Sequence, residues 1–180
     1  MSEGIVLPPV PRGTVLGAGE KLARIAEATP QILAAVEGER DPIVVQTTLA
    51  CLLWETLPHA SWVGFYRRTA PRMLSVGPYQ GPMGCLHIAF DRGVCGACAD
   101  TGQVQLVPDV NAFANHIACD GATQSELVLP VFGRGELRAV LDLDSHALAA
   151  FIVEEARELE GLLARAFDDR IDWPAFVRQP

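Results

Sequence analysis

Apolar residues return along this chain with two periods, and the switch between them lays out the elements. From residue 20 to 36 they recur every three or four positions, which predicts a helix interrupted near Pro30. After the turn Glu37-Gly38-Glu39-Arg40, Asp41 and Pro42 form a cap and first-turn pair for a second helix. Val45, Leu49, Leu52 and Leu53 share one face of it, and Cys51 reads as a small buried hydrophobe there. Over residues 61–68 the period falls to two. Trp62, Gly64 and Tyr66 then lie on one face of a strand, with Val63 and Phe65 on the other. A second strand is predicted at 73–76. The stretch 77–122 is glycine-rich and irregular, with a strand near 86–90, a short helix at 94–100 and a strand at 105–107. Residues 127–132 and 137–144 form a hairpin over Gly133-Arg134-Gly135. Residues 151–167 read as an amphipathic helix through Ile152, Ala156, Leu159 and Leu163. Residues 1–17 are a proline-rich arm that can dock on the domain, and 168–180 are an unassigned tail with an isolated Trp173-Pro174. The order predicts an α+β domain over 18–167, an antiparallel sheet with helices on one face.

Composition narrows the function. A chain of 180 residues favours one domain, and 49% hydrophobic residues supply a core without a metal or disulfide staple. The net charge of −8, with no basic block, argues against nucleic acid and against an anionic membrane surface. Lys21 is the one lysine; the other basic residues are arginines, read as genome composition. No apolar run is long enough to span a bilayer, and the first residues lack a signal-peptide pattern. The expected setting is the cytoplasm, where thiols stay reduced. Five cysteines therefore need a reading other than structural disulfides: core, metal or redox chemistry.

Cys85, Cys95, Cys98 and Cys119 cluster in the irregular region. A zinc site would take these four, or include His116, but their spacing lacks paired knuckles. A thioredoxin-like motif is disfavoured because no βαβ unit precedes Cys95. Cys95 falls in the first turn of a short helix, where backbone N–H groups would lower its pKa or hold an anion. Cys119 follows His116-Ile117-Ala118 and precedes Asp120. An imidazole would favour its thiolate and the carboxylate would oppose it; the sequence leaves both open. In Leu141-Asp142-Leu143-Asp144, alternation puts two carboxylates on one face, and Glu126 offers a third from the neighbouring strand. Solvation of a strand end is the competing reading, weaker for Asp142 than for Asp144. Trp62 and Tyr66 flank Gly64, leaving either a gap for a small ligand or ordinary aromatic packing.

Taken together these motifs resemble a known family. Trp62-Val63-Gly64-Phe65-Tyr66, Gly77-Pro78-Tyr79-Gln80-Gly81, Cys85, Arg92-Gly93-Val94-Cys95-Gly96, His116-Ile117-Ala118-Cys119-Asp120, Ser125-Glu126 and Leu141-Asp142-Leu143-Asp144-Ser145 occur in order. Over residues 20–167 they resemble the free methionine-(R)-sulfoxide reductases, a branch of the GAF-domain proteins. The resemblance implies a six-stranded antiparallel sheet flanked by helices, a homodimer, and no cofactor or metal. It implies Cys119 as nucleophile, Cys85 as the thiol that resolves its sulfenic acid, and Cys95 as a third thiol able to resolve. Trp62, Tyr66, Glu126, Asp142 and Asp144 match the substrate pocket. Cys98 falls where the family has a small non-thiol residue. The implied reaction converts free methionine-(R)-sulfoxide to methionine, with thioredoxin reducing the resulting disulfide. The alternative is a GAF small-molecule sensor without turnover, in which the cysteines would be dispensable.

Overall fold

The computed structural model describes residues 5–115 and 119–174. The elements run α1 (Ala18–Ala35), α2 (Pro42–Thr56), β1 (Trp62–Ala70), β2 (Met73–Gln80), β3 (His87–Ala89), α3 (Gly93–Thr101), β4 (Gln105–Val107), a short 3-10 turn (Val110–Ala112), β5 (Ser125–Gly133), β6 (Glu136–Ser145) and α4 (Val153–Ala166). The six strands make one antiparallel sheet in the order β3-β2-β1-β6-β5-β4. The architecture is α+β with one antiparallel sheet, as expected, but helices cover both faces of the sheet where the element order had indicated one.

Period two sorts the side chains. Val63 and Phe65 of β1, Leu127 and Leu129 of β5, and Leu141 and Leu143 of β6 point to one face and are fully buried. That face packs on α1, α2 and α4 through Ile25, Ile32, Leu49, Leu53, Leu159 and Leu163. Trp62, Tyr66, Val128 and Val140 alternate onto the other face, under α3 and the loops around it, where Cys95 and Cys98 lie. The helices thus stand on both faces, three against one.

Local chemistry fixes the element ends. The Asp41 carboxylate accepts the Ile43 N–H at 2.8 Å, capping α2 ahead of Pro42. The β5–β6 hairpin turns on Arg134 and Gly135, both at positive φ (53° and 76°), the two-residue geometry that matches strand twist. Pro30 does not interrupt α1, which runs through it unbroken. Ile25, Ala28 and Ile32, buried on either side of the proline, hold the helix to the sheet, and tertiary packing outweighs the lost hydrogen bond. β2 extends to Gln80, farther than apolar alternation indicated, because Gly64 and Val63 of β1 pair with Tyr79 and Gln80.

The arm is laid against the domain. The Arg12 guanidinium stacks 3.7 Å over the Trp54 ring and donates to the Trp54 and Leu57 carbonyls. Arg24 donates to Pro8 O at 2.8 Å, and Ile5 and Leu7 pack on the core. At the other end Asp172 pairs with Arg40, and Trp173 packs on Phe167. On the helical side, Glu155 is buried between Lys21 and His59, at 3.1 Å from each. Lys21 also donates to Ala150 O. The chain's one lysine is therefore a core ion-pair partner. Burial would raise the Glu155 pKa, but the hydrogen bond and charge of His59 and the charge of Lys21 outweigh it and hold the group below its ordinary value.

Candidate active site

Strand register builds the floor of a pocket. Trp62 of β1 pairs with Asp144 of β6, and Asp144 pairs with Glu126 of β5. One step along, Gly64 pairs with Asp142, and Asp142 with Val128. Because successive partners on one face are two residues apart, Trp62, Glu126, Asp142 and Asp144 all project to the side away from the main core. The pocket is partly enclosed and opens to solvent. It is lined by these four residues with Tyr66, Cys95, Cys119, Asp120 and Thr123, and by the segment Pro82-Met83-Gly84.

The aromatic wall is a stack. The Trp62 ring lies between Tyr66 (centroids 5.6 Å) and Tyr79 (5.1 Å), both nearly parallel to it. Its indole N–H donates to Pro82 O at 3.0 Å, satisfying the buried donor. Gly64 leaves no gap for a ligand. A Cβ there would overlap the Trp62 ring and the Tyr79 Cβ, so the space is already taken by the indole. Glycine is required because Trp62 folds over it, and the open space lies beyond the stack, toward the carboxyls. Tyr79 was not a predicted site residue; its trace in the sequence is the run Gly77-Pro78-Tyr79-Gln80-Gly81.

Three carboxyls share this pocket. Glu126 and Asp142 are nearly inaccessible, and Asp144 is partly exposed. Burial, and then the charges of Asp142 and Asp144, push Glu126 well above the ordinary carboxyl range. Burial, Asp142 and Asp120 do the same to Asp144. Asp142 is raised less, to about 6, because the Cys95 thiol, Glu126 and the Leu143 N–H stabilise its charge against the effect of burial. Burial thus favours the neutral forms of Glu126 and Asp144 more strongly than that of Asp142.

The thiols divide into three environments. Cys85, between β2 and β3, is joined to the exposed Cys119 by a disulfide, with Cα atoms 5.4 Å apart. This bond crosses from the β2–β3 connection to the loop before β5. Cys95 is buried in the first turn of α3, its sulfur 4.0 Å from Glu126 Oε1. Its helix-terminal position does not lower its pKa. Desolvation and the charges of Asp142 and Glu126 dominate, and the thiol is pushed well up. Cys98, one turn on, is fully buried in the apolar layer, and desolvation pushes it up as well. Cys51 is exposed, not buried as its pattern indicated, because its position on α2 turns away from the sheet. The structure does not gather the four loop-region cysteines as zinc ligands: two are consumed in the disulfide. His116 lies outside the described residues.

Asp120, whose influence on Cys119 the sequence left open, is engaged elsewhere. Its carboxylate accepts the Ala122 N–H and pairs with His146 Nε2 at 2.9 Å, which holds its pKa down. These contacts tie the Cys119 loop to the segment after β6. His146 was missed because its partner is remote in sequence and no local motif marks the pair.

Comparison with known proteins agrees with this architecture. The family described as GAF domain matches residues 21–167. The chain is 37% identical over 132 residues to the free methionine-R-sulfoxide reductase of Escherichia coli (strain K12), covering 73% of this chain and 79% of that protein. It is 36% identical to the protein of the same name from Saccharomyces cerevisiae, over 66% of this chain and 72% of the relative. Among solved structures, the free methionine-R-sulfoxide reductase from Neisseria meningitidis in complex with its substrate superimposes with a TM-score of 0.79 at 35% identity. That match covers 89% of this chain and 96% of the other.

Proposed function

This chain belongs to the GAF-domain family, in the branch of the free methionine-R-sulfoxide reductases, and we propose that it reduces free methionine-(R)-sulfoxide to methionine with Cys119 as nucleophile. The observation that carries the reading is the Cys85–Cys119 disulfide at a pocket walled by stacked aromatics and floored by three carboxyls. A disulfide in that place is what the proposed reaction would leave, and supports the reading.

The substrate offers an ammonium, a carboxylate, an apolar S-methyl group and a polar S=O. Asp142, the carboxyl most readily ionised, takes the ammonium. The Val94 and Cys95 N–H groups in the first turn of α3 would take the carboxylate, the Gly93 N–H being engaged by Asn115 O. The Trp62 ring takes the methyl group. Glu126 and Asp144, held protonated, supply the proton that sulfoxide oxygen needs as it leaves sulfur.

The electron count closes in three steps. The Cys119 thiolate attacks the sulfoxide sulfur as a pocket acid protonates the oxygen; the S–O bond and the transient sulfur–sulfur bond then break as the hydroxyl passes to Cys119, releasing methionine and leaving a sulfenic acid. The substrate sulfur gains two electrons and Cys119 loses two. Cys85 then condenses with the sulfenic acid, forming the disulfide and releasing water. A dithiol protein of the thioredoxin kind exchanges with the disulfide, returning both thiols and leaving oxidised itself. Recycling of this kind requires a reducing compartment, which supports a cytoplasmic setting. A homodimer is part of the reading, carried by the family resemblance.

The test is stoichiometric. Fully reduced protein mixed with excess free methionine-(R)-sulfoxide and no reductant forms one methionine per chain and regains the Cys85–Cys119 disulfide, followed by mass spectrometry. Binding of the sulfoxide without methionine formation would instead make this a sensor.

A further inference from the structure

Cys95 lines the same pocket as Cys119, Glu126 and Asp142 but is not part of the disulfide, and the reaction above does not consume it. We infer that these three side chains form a binding site for a borderline-soft divalent cation, Zn²⁺ foremost, which blocks the substrate pocket. One sulfur and two carboxylate oxygens from these residues lie within 4.8 Å of one another, all buried. They come from three elements, α3, β5 and β6, so a single ion would join them.

An independent observation points to a ligand. Asp142 is 5% exposed, yet its Oδ1 has no hydrogen-bond partner while the residue lines the pocket. A buried carboxylate oxygen left bare is costly. A cation in the pocket would satisfy it. The donor set selects among ions. A thiolate with two carboxylates suits zinc, which accepts Cys, Asp and Glu at four-coordinate sites; magnesium and calcium call for oxygen donors alone. Zinc–ligand distances near 2.0–2.3 Å require the three side chains to draw together slightly from their present separations. Three protein ligands leave a fourth position facing the pocket. Binding exchanges the protons on the thiol and carboxyls for the metal and sends them to solvent, with no change of oxidation state.

Functional consequences follow from shared residues. Asp142 is the group assigned above to the substrate ammonium, and Glu126 is one of the two proton donors. An ion on both makes zinc and methionine sulfoxide mutually exclusive. This part rests on the reductase reading; the existence of the site does not.

The test uses the disulfide form, in which Cys85 and Cys119 cannot ligate. Titration with Co²⁺ is expected to give a sulfur-to-cobalt charge-transfer band saturating at one ion per chain, displaced by Zn²⁺ and unaffected by Mg²⁺. Cys95→Ser and Cys95→Ala should lose the band, with folding checked by circular dichroism. Glu126→Gln should weaken binding by at least about tenfold, as expected for loss of a ligand. Cys51→Ser, which removes the exposed thiol, should keep the band. Absence of the band in the wild-type protein, or its survival in both folded Cys95 variants, overturns the inference. These titrations contain no substrate, so they stand or fall apart from turnover. If turnover is present, chelator-reversible inhibition by Zn²⁺, competitive with the sulfoxide, is the expected kinetic counterpart.

Discussion

Glu126 and Asp144 face each other directly across the β5–β6 ladder, and each carboxyl is pushed toward its neutral form by burial and by the charge of Asp142. Two acids in register on one face, next to a third that ionises near neutrality, are a poor arrangement for stability and a good one for proton donation. In the proposed reaction the neutral forms donate the proton as the sulfoxide oxygen leaves. Chemical turnover is therefore expected to fall as pH rises and these acids ionise, measured as single-turnover rates of the reduced protein. A rate that only climbs with pH would mean that thiolate formation alone is limiting.

The same shifts set a stability effect. Asp142 is raised in the folded state to about 6 from an ordinary 3.8, so its favourable contribution is complete below about pH 4 and is lost as pH rises through 6. At pH 7 to 8 its ionised form costs the fold of order 3 kcal/mol, from the size of that shift. Asp142→Asn should therefore raise the melting temperature at pH 8 and change it little near pH 4, while turnover collapses. A lowered melting temperature at pH 8 with unchanged turnover per folded molecule would make Asp142 a structural residue.

Cys119→Ser should abolish methionine formation, because a hydroxyl cannot form a sulfenic acid. Cys85→Ser should give a burst of one methionine per chain and stop, with a sulfenic acid on Cys119 trapped by a dimedone-type reagent. If Cys85→Ser turns over steadily while Cys95→Ser stops after the burst, the resolving role belongs to Cys95.

Gly64→Ala tests the aromatic stack. The added methyl would collide with the Trp62 ring and with the Tyr79 Cβ, and Trp62 must move. Overpacking of this kind costs about 1–3 kcal/mol. KM for the sulfoxide should rise along with the loss of stability, and Trp62 fluorescence should report the displaced ring.

Glu155→Gln separates the core from the site. It strips the charge that Lys21 and His59 share in the buried triad, and breaking such a pair costs about 3–5 kcal/mol. The Glu155 pKa is held low, so its contribution is present above the ordinary value of 4.5 and is lost as pH falls through the folded value. Denaturant unfolding of the variant should lose stability at neutral pH and converge toward wild type in acid, with activity per folded molecule intact.

What could be read from the chain depended on how local each signal was. Alternation in Trp62-Val63-Gly64-Phe65-Tyr66 and Leu141-Asp142-Leu143-Asp144 placed every side chain on its observed face, because period two is a property of each strand alone. The cap at Asp41 was equally local. Pro30 misled because the packing of Ile25 and Ile32 overrides a local breaker. Cys51 misled because an almost uniformly apolar helix does not announce which side is solvent. The gap expected at Gly64 was filled by the neighbouring indole, a rotamer that composition cannot specify. The Asp120–His146 contact and the bare Asp142 oxygen arise only once distant segments meet.

The most direct measurement of the central claim is methionine production from each sulfoxide epimer, supplied free and within a short blocked peptide, under recycling by thioredoxin. In the proposed reaction Asp142, the carboxyl pair and the Trp62 ring would fix the ammonium, the oxygen and the methyl group at three points. Inverting sulfur would turn its oxygen from the acids, and a peptide would leave the ammonium's partner buried and unpaired. The account predicts turnover of the free R epimer, with discrimination of roughly 10⁴ or more against the peptide form and little reduction of the free S epimer. Comparable rates for free and peptide-bound substrate, or preference for the S epimer, would contradict it.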